Sequence, residues 1–193
     1  EDIPAIATTV NTPATFTISA IDVEGDPVLF SGVKAGNVNY TFSVDSQTGQ
    51  VTVTPPTDYV GTMQILLRVA AANGSDTTDP YDSQLVSITV APAAPAAVDL
   101  VAASDSGFSS TDNITNQTSL AFEVTGVTSG AQVRLYHGMT SIGEATASGT
   151  SVTITTSSLS DLADGTYTLY ATQTVSDLES DASAPLSITL DRT

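Results

Sequence analysis

The chain contains, at residues 45–55, the segment Asp45-Ser46-Gln47-Thr48-Gly49-Gln50-Val51-Thr52-Val53-Thr54-Pro55. Its first five residues are typical of a tight turn, because Asp, Ser and Gly favour turn conformations. From Gln50 the residues alternate between polar and apolar, which is the period of a β-strand. Successive side chains of a strand point to opposite faces, so this strand buries one face and exposes the other.

The same alternation recurs along the whole chain, whereas helical periodicity is almost absent. Turn clusters rich in Gly, Asp, Asn and Pro separate the segments at intervals of about 8–12 residues, a spacing typical of β-sandwiches and barrels. The predicted strands cover residues 15–20, 50–54, 64–69, 85–90, 120–124, 132–136, 151–155, 166–171 and 185–190.

The strand pattern is itself repeated. Ser87-Ile88-Thr89-Val90 is followed roughly 100 residues later by Ser187-Ile188-Thr189-Leu190, which indicates two domains of one architecture in tandem. Between them, Ala91-Pro92-Ala93-Ala94-Pro95-Ala96-Ala97 is predicted to form a short, semi-rigid linker. We therefore predict an all-β chain of two tandem Ig-like or cadherin-like Greek-key β-sandwiches, at residues 1–92 and 93–193.

Composition excludes several classes of function. The 193 residues include 21 acidic and 4 basic side chains, for a formal net charge of −17, so no basic stripe can bind nucleic acid or an anionic membrane. The chain has no cysteine and one histidine, which excludes disulfides, thiol catalysis and metal sites built from Cys or several His. No stretch approaches the about 20 apolar residues that span a bilayer.

Two halves of the chain carry different family motifs. The first half resembles bacterial cadherin-like domains, including the dystroglycan-type variety, in Ala20-Ile21-Asp22-Val23-Glu24-Gly25-Asp26, in the segment 45–55 and in Asp58-Tyr59-Val60-Gly61-Thr62. The second half resembles the bacterial Ig-like repeats of giant surface adhesins, in residues 105–116 and in Leu162-Ala163-Asp164-Gly165-Thr166-Tyr167. These resemblances imply repeat domains of a long surface protein.

Acidic residues in the first domain predict a calcium site. An Ig-type sandwich brings the loop between its second and third strands close to the loop between its last two strands. Ca²⁺ binds six to eight oxygens in flexible loops, and the chain has a single lysine to compete with it. The alternative is a solvated acidic rim. The candidate ligands are Asp22, Glu24, Asp26, Asp76, Asp79 and Asp82.

A second calcium site is predicted from Asp105, Asp112 and Asp191. The loop 105–116 joins the first two predicted strands of the second domain, which places it at the same end as the turn 161–165 and as Asp191. Oxygens of the Ser- and Thr-rich loop would complete the shell. The alternative is a loop in which Asp105 and Asp112 cap local backbone amides.

Further acids and one tyrosine have more local interpretations. Asp99, Asp177 and Asp181 are candidates for an ion that fixes the angle between the domains. Tyr167 is predicted to form a tyrosine corner, in which its hydroxyl returns to the backbone. His137 has no second His or serine motif near it in the sequence, so it is interpreted as a surface turn residue and the chain as non-catalytic.

We therefore expect a calcium-stiffened extracellular spacer, a structural or adhesive repeat module excised from a large bacterial surface or secreted protein. Its partners would be the neighbouring repeats of the same polypeptide, and the chain would be monomeric, without nucleic acid or membrane insertion. The alternative is a module that binds a cell-surface or matrix glycan or protein through loops at one end, with Tyr40, Tyr59 and Tyr81 as candidate contacts.

Overall fold

The computed structural model describes residues 2–22, 25–72 and 82–193, and its regular secondary structure consists of β-strands. The chain divides into two compact units, Glu1–Ala91 and Pro92–Thr193. Unit 1 and unit 2 each have a hydrophobic core of their own. No helix among the residues just named has the length and apolar character needed to cross a membrane.

The described part of unit 1 forms a sandwich of two sheets. Four strands in the order β1-β7-β6-β3 form one sheet, and three in the order β2-β5-β4 form the other. The strands are β1 (Ile6–Thr9), β2 (Ala14–Thr17), β3 (Val28–Ala35), β4 (Thr41–Val44), β5 (Gln50–Thr54), β6 (Gly61–Ala71) and β7 (Asp82–Ala91).

Unit 2, which is described throughout, repeats this arrangement. One sheet has the order β13-β10-β8, and the other has the order β12-β11-β14-β16-β9, with β15 paired to β14. The strands are β8 (Ala97–Leu100), β9 (Ile114–Thr115), β10 (Leu120–Thr125), β11 (Gln132–His137), β12 (Thr140–Thr146), β13 (Ser151–Thr156), β14 (Gly165–Val175), β15 (Leu178–Glu179) and β16 (Leu186–Leu190).

Each unit closes one sheet edge with a parallel strand pair. Strand β1 runs parallel to β7, and β9 runs parallel to β16, whereas the other strand pairs are antiparallel. An early strand therefore lies beside the last strand of its own unit, which is the long return connection of a Greek key. The prediction of two tandem all-β Greek-key sandwiches is confirmed.

The period of two determines which side chains form each core. In unit 1, Val51 and Val53 are buried while the residues between and beside them face outward. In unit 2, Leu120, Phe122 and Val124 of β10 follow the same rule. Burying one aliphatic or aromatic side chain contributes about 1.5–3 kcal/mol, so these alternating strands supply the main stabilisation of both sandwiches.

The turn at residues 45–50 has the hydrogen bonds that its sequence predicts. The Asp45 carboxylate accepts the amides of Gln47 and Thr48, both at 2.9 Å. These bonds, led by the one from Thr48, hold the pKa of the Asp45 carboxyl below its ordinary value of 3.8. Gly49 follows with φ of 70°, a left-handed conformation that glycine adopts without a steric penalty.

The segment predicted as a linker is attached to unit 2. Pro92 and Pro95 are buried, and the Ala96 amide donates to the Thr125 carbonyl at 2.8 Å. Gln173, 1% exposed, donates its Nε2 to the Ala93 carbonyl at 2.7 Å. Residues 92–97 are therefore the first ordered segment of the second sandwich.

Candidate cation-binding centre

The loop between β8 and β10 contains more regular structure than the sequence predicts. Residues 105–116 were expected to form one long loop, but Ile114 and Thr115 form strand β9 against β16. The loop is also anchored at its base, where the Thr115 hydroxyl donates to the Ser104 carbonyl at 2.6 Å. Two-residue parallel pairing has no alternating pattern of its own, so the sequence carried no signal for it.

Asp105 is the most deeply buried acidic side chain of this loop. It is 4% exposed, and its Oδ2 accepts the backbone amide of Asn113 at 3.1 Å. The other carboxylate oxygen, Oδ1, is buried without a hydrogen-bond partner. A buried polar group without a partner costs about 1–3 kcal/mol, and more when it is charged, so Oδ1 is a candidate ligand for a cation.

Asn113 is in contact with Asp105 and likewise has a buried side-chain oxygen without a hydrogen-bond partner. Its side-chain Oδ1 is also buried without a partner, while its amide is bonded to Asp105 and its carbonyl accepts the Thr189 amide at 2.8 Å. Its φ is 59°, a left-handed conformation in which Asn is among the best-tolerated residues after glycine. Two residues in contact thus each present a buried oxygen acceptor.

The two arginines of unit 2 form ion pairs with other acids, although the Nε of Arg192 is buried without a partner. Arg134 Nε lies 3.1 Å from Glu144 Oε2, and Arg192 Nη1 lies 3.6 Å from Asp164 Oδ1. Arg192 also donates to the carbonyls of Leu159 and Leu162. Neither ion pair includes Asp105. A carboxylate with an amide oxygen is a donor set that suits Ca²⁺.

The two acids predicted to share an ion with Asp105 have other contacts. The Asp112 Oδ1 accepts the Ile114 amide at 3.2 Å, as in the alternative of a local cap. Asp191 donates its amide to the Thr115 carbonyl, and its Oδ1 accepts the Thr193 hydroxyl. The backbone of Asp191 is thus beside β9, as expected from the sandwich. A shared ion among Asp105, Asp112 and Asp191 stays a prediction.

Asn113 is the residue that the sequence analysis missed. Its side chain was not singled out because an asparagine in a loop rich in Ser, Thr and Asn carries no special signal. Two features could have drawn attention to it, namely its place directly after Asp112 and the preference of Asn for left-handed turns. Its unpaired oxygen depends on burial, which only the folded structure shows.

The acids of unit 1 are only partly described. Asp22 and Asp26 share one turn, in which the Asp26 amide donates to Asp22 Oδ1 at 3.4 Å. Asp82 begins β7 opposite Val69. Glu24, Asp76 and Asp79 lie outside the described residues. The calcium site of the first domain stays a prediction.

A depression of about 270 Å³ opens in unit 1 beside Asp82. Asp2, Arg68 and Asp82 line it together with the apolar residues Ile18, Phe30 and Leu67.

Across residues 2–22, 25–72 and 82–193, no three acidic, histidine or cysteine side chains are grouped in the manner of a metal site. The centre around Asp105 differs from such a group because its second oxygen comes from an amide.

The three acids proposed for the domain junction all lie on unit 2. Asp99 is exposed on β8, directly opposite Glu123 of β10. Asp177 is in the turn between β14 and β15 with φ of 63°, and Asp181 follows β15. Asp99 belongs to one sheet and β15 to the other. Their role in an interdomain ion stays a prediction.

The tyrosines have structural roles in the described residues. The Tyr167 hydroxyl donates to the Ala163 carbonyl at 2.8 Å, which confirms the tyrosine corner. Tyr40 is buried and donates to the Gln64 carbonyl, and the Tyr59 hydroxyl donates to the Thr62 carbonyl. Tyr81 lies outside the described residues. His137 ends β11 and packs edge-on against Tyr167, with ring centroids 5.4 Å apart.

Comparisons with solved structures find proteins of low identity. The biofilm associated protein BSP domain is 20% identical over 98% of this chain and 29% of its own, with a TM-score of 0.34. The Yersinia pseudotuberculosis adhesin InvE is 13% identical over 97% of this chain and 56% of its own, with a TM-score of 0.36.

A nucleoside hydrolase-related hypothetical protein from Saccharophagus degradans is 20% identical over 45% of this chain, with a TM-score of 0.37. The chain covers 22% of that protein, so it spans between about a fifth and about a half of the length of these three structures. No curated protein matches the chain.

Family models match both units. Residues 1–89 match the family described as Bacterial Ig domain, and residues 89–192, more than half of the chain, match the family described as Bacterial Ig-like domain. These boundaries fall close to the division between the two sandwiches. The chain therefore belongs to the bacterial Ig-like domain family and contains two such domains in tandem.

Proposed function

We propose that this chain is a non-catalytic spacer of a bacterial surface or secreted protein, and that Ca²⁺ held by Asp105 and Asn113 stiffens its second domain. Bacterial Ig-like domains are structural or adhesive modules and are typical of surface or secreted proteins. The composition agrees with an extracellular setting, since the chain has no cysteine and only 4 basic residues. Its partners would be the neighbouring repeats of the same polypeptide.

The observation that supports calcium most directly is the buried, unpaired Oδ1 of Asp105. Leaving a charged oxygen buried without a counter-charge costs several kcal/mol. A divalent cation would remove this cost and would also recruit the unpaired Oδ1 of Asn113. Both ligands are oxygens, which favours a hard cation such as Ca²⁺ over a transition metal.

Thermal unfolding in EDTA and in about 10 mM CaCl₂ tests the proposal, with MgCl₂ as the comparison. Extracellular Ca²⁺ modules bind with Kd of about 10⁻⁴–10⁻³ M, so one site adds roughly 1.4–2.7 kcal/mol. For a domain of about 100 residues this raises Tm by about 6–20 °C. The expected result is a rise of this size for unit 2 that is specific to Ca²⁺.

Two matched variants locate the effect. Asp105→Asn removes the charge but keeps an oxygen that accepts the Asn113 amide, so it should fold and lose the response to Ca²⁺. Asp161→Asn makes the same chemical change at an exposed turn residue and should keep the response. An equal response to Mg²⁺ would mean that the acidic residues form a solvated surface, and a full Ca²⁺ response in Asp105→Asn would mean that the ion binds without Asp105.

A further inference from the structure

Asn113 connects the cation-binding centre to the last strand of unit 2. Its backbone amide donates to Asp105, and its backbone carbonyl accepts from Thr189 of β16. Its side-chain oxygen is buried and unpaired. One residue therefore contacts the acidic loop with its amide and side chain, and the edge of the sheet with its carbonyl.

Strand β9 is held in part by Thr115, which is buried and donates its hydroxyl to the Ser104 carbonyl. It is two residues long and pairs with β16 at Thr189 and Leu190. Flanking bonds run from the Thr189 amide to the Asn113 carbonyl at 2.8 Å and from the Asp191 amide to the Thr115 carbonyl at 2.9 Å. Ile114 remains 39% exposed, so burial of its side chain adds little to the docking of β9.

We propose that the cation at Asp105 and Asn113 acts as a latch that keeps β9 docked on β16, an inference that rests on the proposed calcium site. Asp105 lies at the start of the loop and Asn113 immediately precedes β9. The docked loop holds the two residues in contact through the bond from the Asn113 amide to the Asp105 carboxylate. The ion therefore binds the docked state more tightly, and that difference in affinity shifts the population toward docking.

The coupling is reciprocal. If calcium favours docking, a docked β9 must favour calcium by the same factor. The amides of Thr189 and Asp191 report on docking because their acceptors are the carbonyls of Asn113 and Thr115. Their hydrogen exchange should slow when calcium binds.

Residue-resolved amide exchange of the whole chain, measured with calorimetric titration of CaCl₂, tests the latch. In EDTA, the Thr189 and Asp191 amides should exchange faster than the core amide of Phe122. About 10 mM CaCl₂ should slow them roughly 10–100-fold, the factor by which a site of Kd about 10⁻⁴–10⁻³ M suppresses opening. The Ala145 amide on β12 serves as a control and should be unaffected.

Two substitutions separate the ligand role of Asn113 from its backbone role. Asn113→Gly keeps the left-handed conformation, because glycine adopts positive φ readily, but removes the oxygen. It should weaken calcium binding about tenfold. Asn113→Asp adds a carboxylate and should tighten calcium binding, since ligand charge sets affinity in such sites.

The outcomes separate the latch from the calcium site. If calorimetry shows calcium bound through Asp105 while exchange at Thr189 and Asp191 is unchanged, the latch is wrong and the site stands. If no calcium binds, both are wrong. If Asn113→Asp destabilises the domain without tighter calcium binding, the Asn113 side chain donates to Asp105 instead of binding an ion, and its role in the latch is overturned.

Discussion

Gly49 shows how one residue determines a turn in unit 1. Its amide donates to the Asp45 carbonyl at 2.9 Å, and its own carbonyl accepts the Ile18 amide at 2.9 Å. A Cβ atom added at Gly49 would lie 2.2 Å from the Ile18 carbonyl oxygen, well inside van der Waals contact. Any other residue at this position would meet two obstacles, the left-handed backbone conformation and the backbone carbonyl of Ile18.

Gly49→Ala should therefore destabilise unit 1 by roughly 3 kcal/mol or more, combining the left-handed penalty with a clash against rigid backbone. Gly36→Ala is the matched control, because Gly36 has φ of 76° with open space where its Cβ would lie. It should cost only about 1–2 kcal/mol. Urea unfolding of both variants measures the difference, and equal losses would contradict the clash.

At the candidate site, the sequence analysis singled out Asp105 and missed Asn113, the two residues that we propose as ligands. Asp105 could be predicted because an acid in a Ser- and Thr-rich loop is a recognisable donor of oxygen ligands. Asn113 could not, since its importance depends on the burial of an unpaired oxygen. Asp112 was predicted as a ligand from the place of its loop at one end of the sandwich, and its Oδ1 accepts the Ile114 amide.

Among the strands, those with strict alternation were predictable, whereas several at sheet edges, including β1, β3 and β9, were not. Strands β5, β6 and β10 have one buried and one exposed face, so period two identifies them. Strand β3 was not predicted, because Val28, Leu29 and Phe30 are consecutive apolar residues followed by a glycine. Strand β9 is too short to show any period. Edge strands pair on one side only, which relaxes their sequence pattern.

Strand β14 carries a buried polar side chain that the pattern does not predict. Gln173 accepts the Thr128 amide and donates to the Ala93 carbonyl, both at 2.7 Å. Gln173→Ala should destabilise unit 2 by roughly 1–3 kcal/mol, because two part-buried hydrogen bonds to the backbone are lost. Gln132→Ala, at an exposed glutamine of the same sheet, should change stability by less than about 0.5 kcal/mol. Denaturant unfolding measures both, and a similar small change for each would contradict the anchoring role of Gln173.

On the scale of the whole molecule, the two units have separate cores. The core of unit 1 is built around Val51, Ile65 and Ile88, and the core of unit 2 around Phe122, Leu135 and Leu169. The repeat of the final strand, residues 87–90 and 187–190, predicted this duplication, since both segments form the strand that pairs with a parallel edge. The sequence analysis interpreted residues 91–97 as a linker and began the second domain at residue 93, whereas unit 2 begins at Pro92.

We expect polypeptides 1–91 and 92–193 to fold independently. Domains of about 100 residues bury enough apolar surface to be stable alone. Polypeptide 92–193 should keep the Ca²⁺-dependent rise in Tm of the whole chain, because both proposed ligands lie within it. Calorimetry of the two pieces and of the intact chain measures this. Loss of the Ca²⁺ response in an otherwise folded 92–193 would show that the first domain contributes a ligand.

The parallel edge pairs have a mechanical consequence for a protein pulled from its two ends. In unit 1, β1 lies near the start of the domain and β7 ends at Ala91, with Ile6 opposite Ile88 and Thr9 opposite Ala91. Tension drags such strands past each other along their length. Their interstrand hydrogen bonds run across the direction of pulling, so they bear the load together as in a lap joint. In unit 2, β9 and β16 form a shorter parallel pair that would bear tension in the same way, and an ion at Asp105 and Asn113 would hold that pair together.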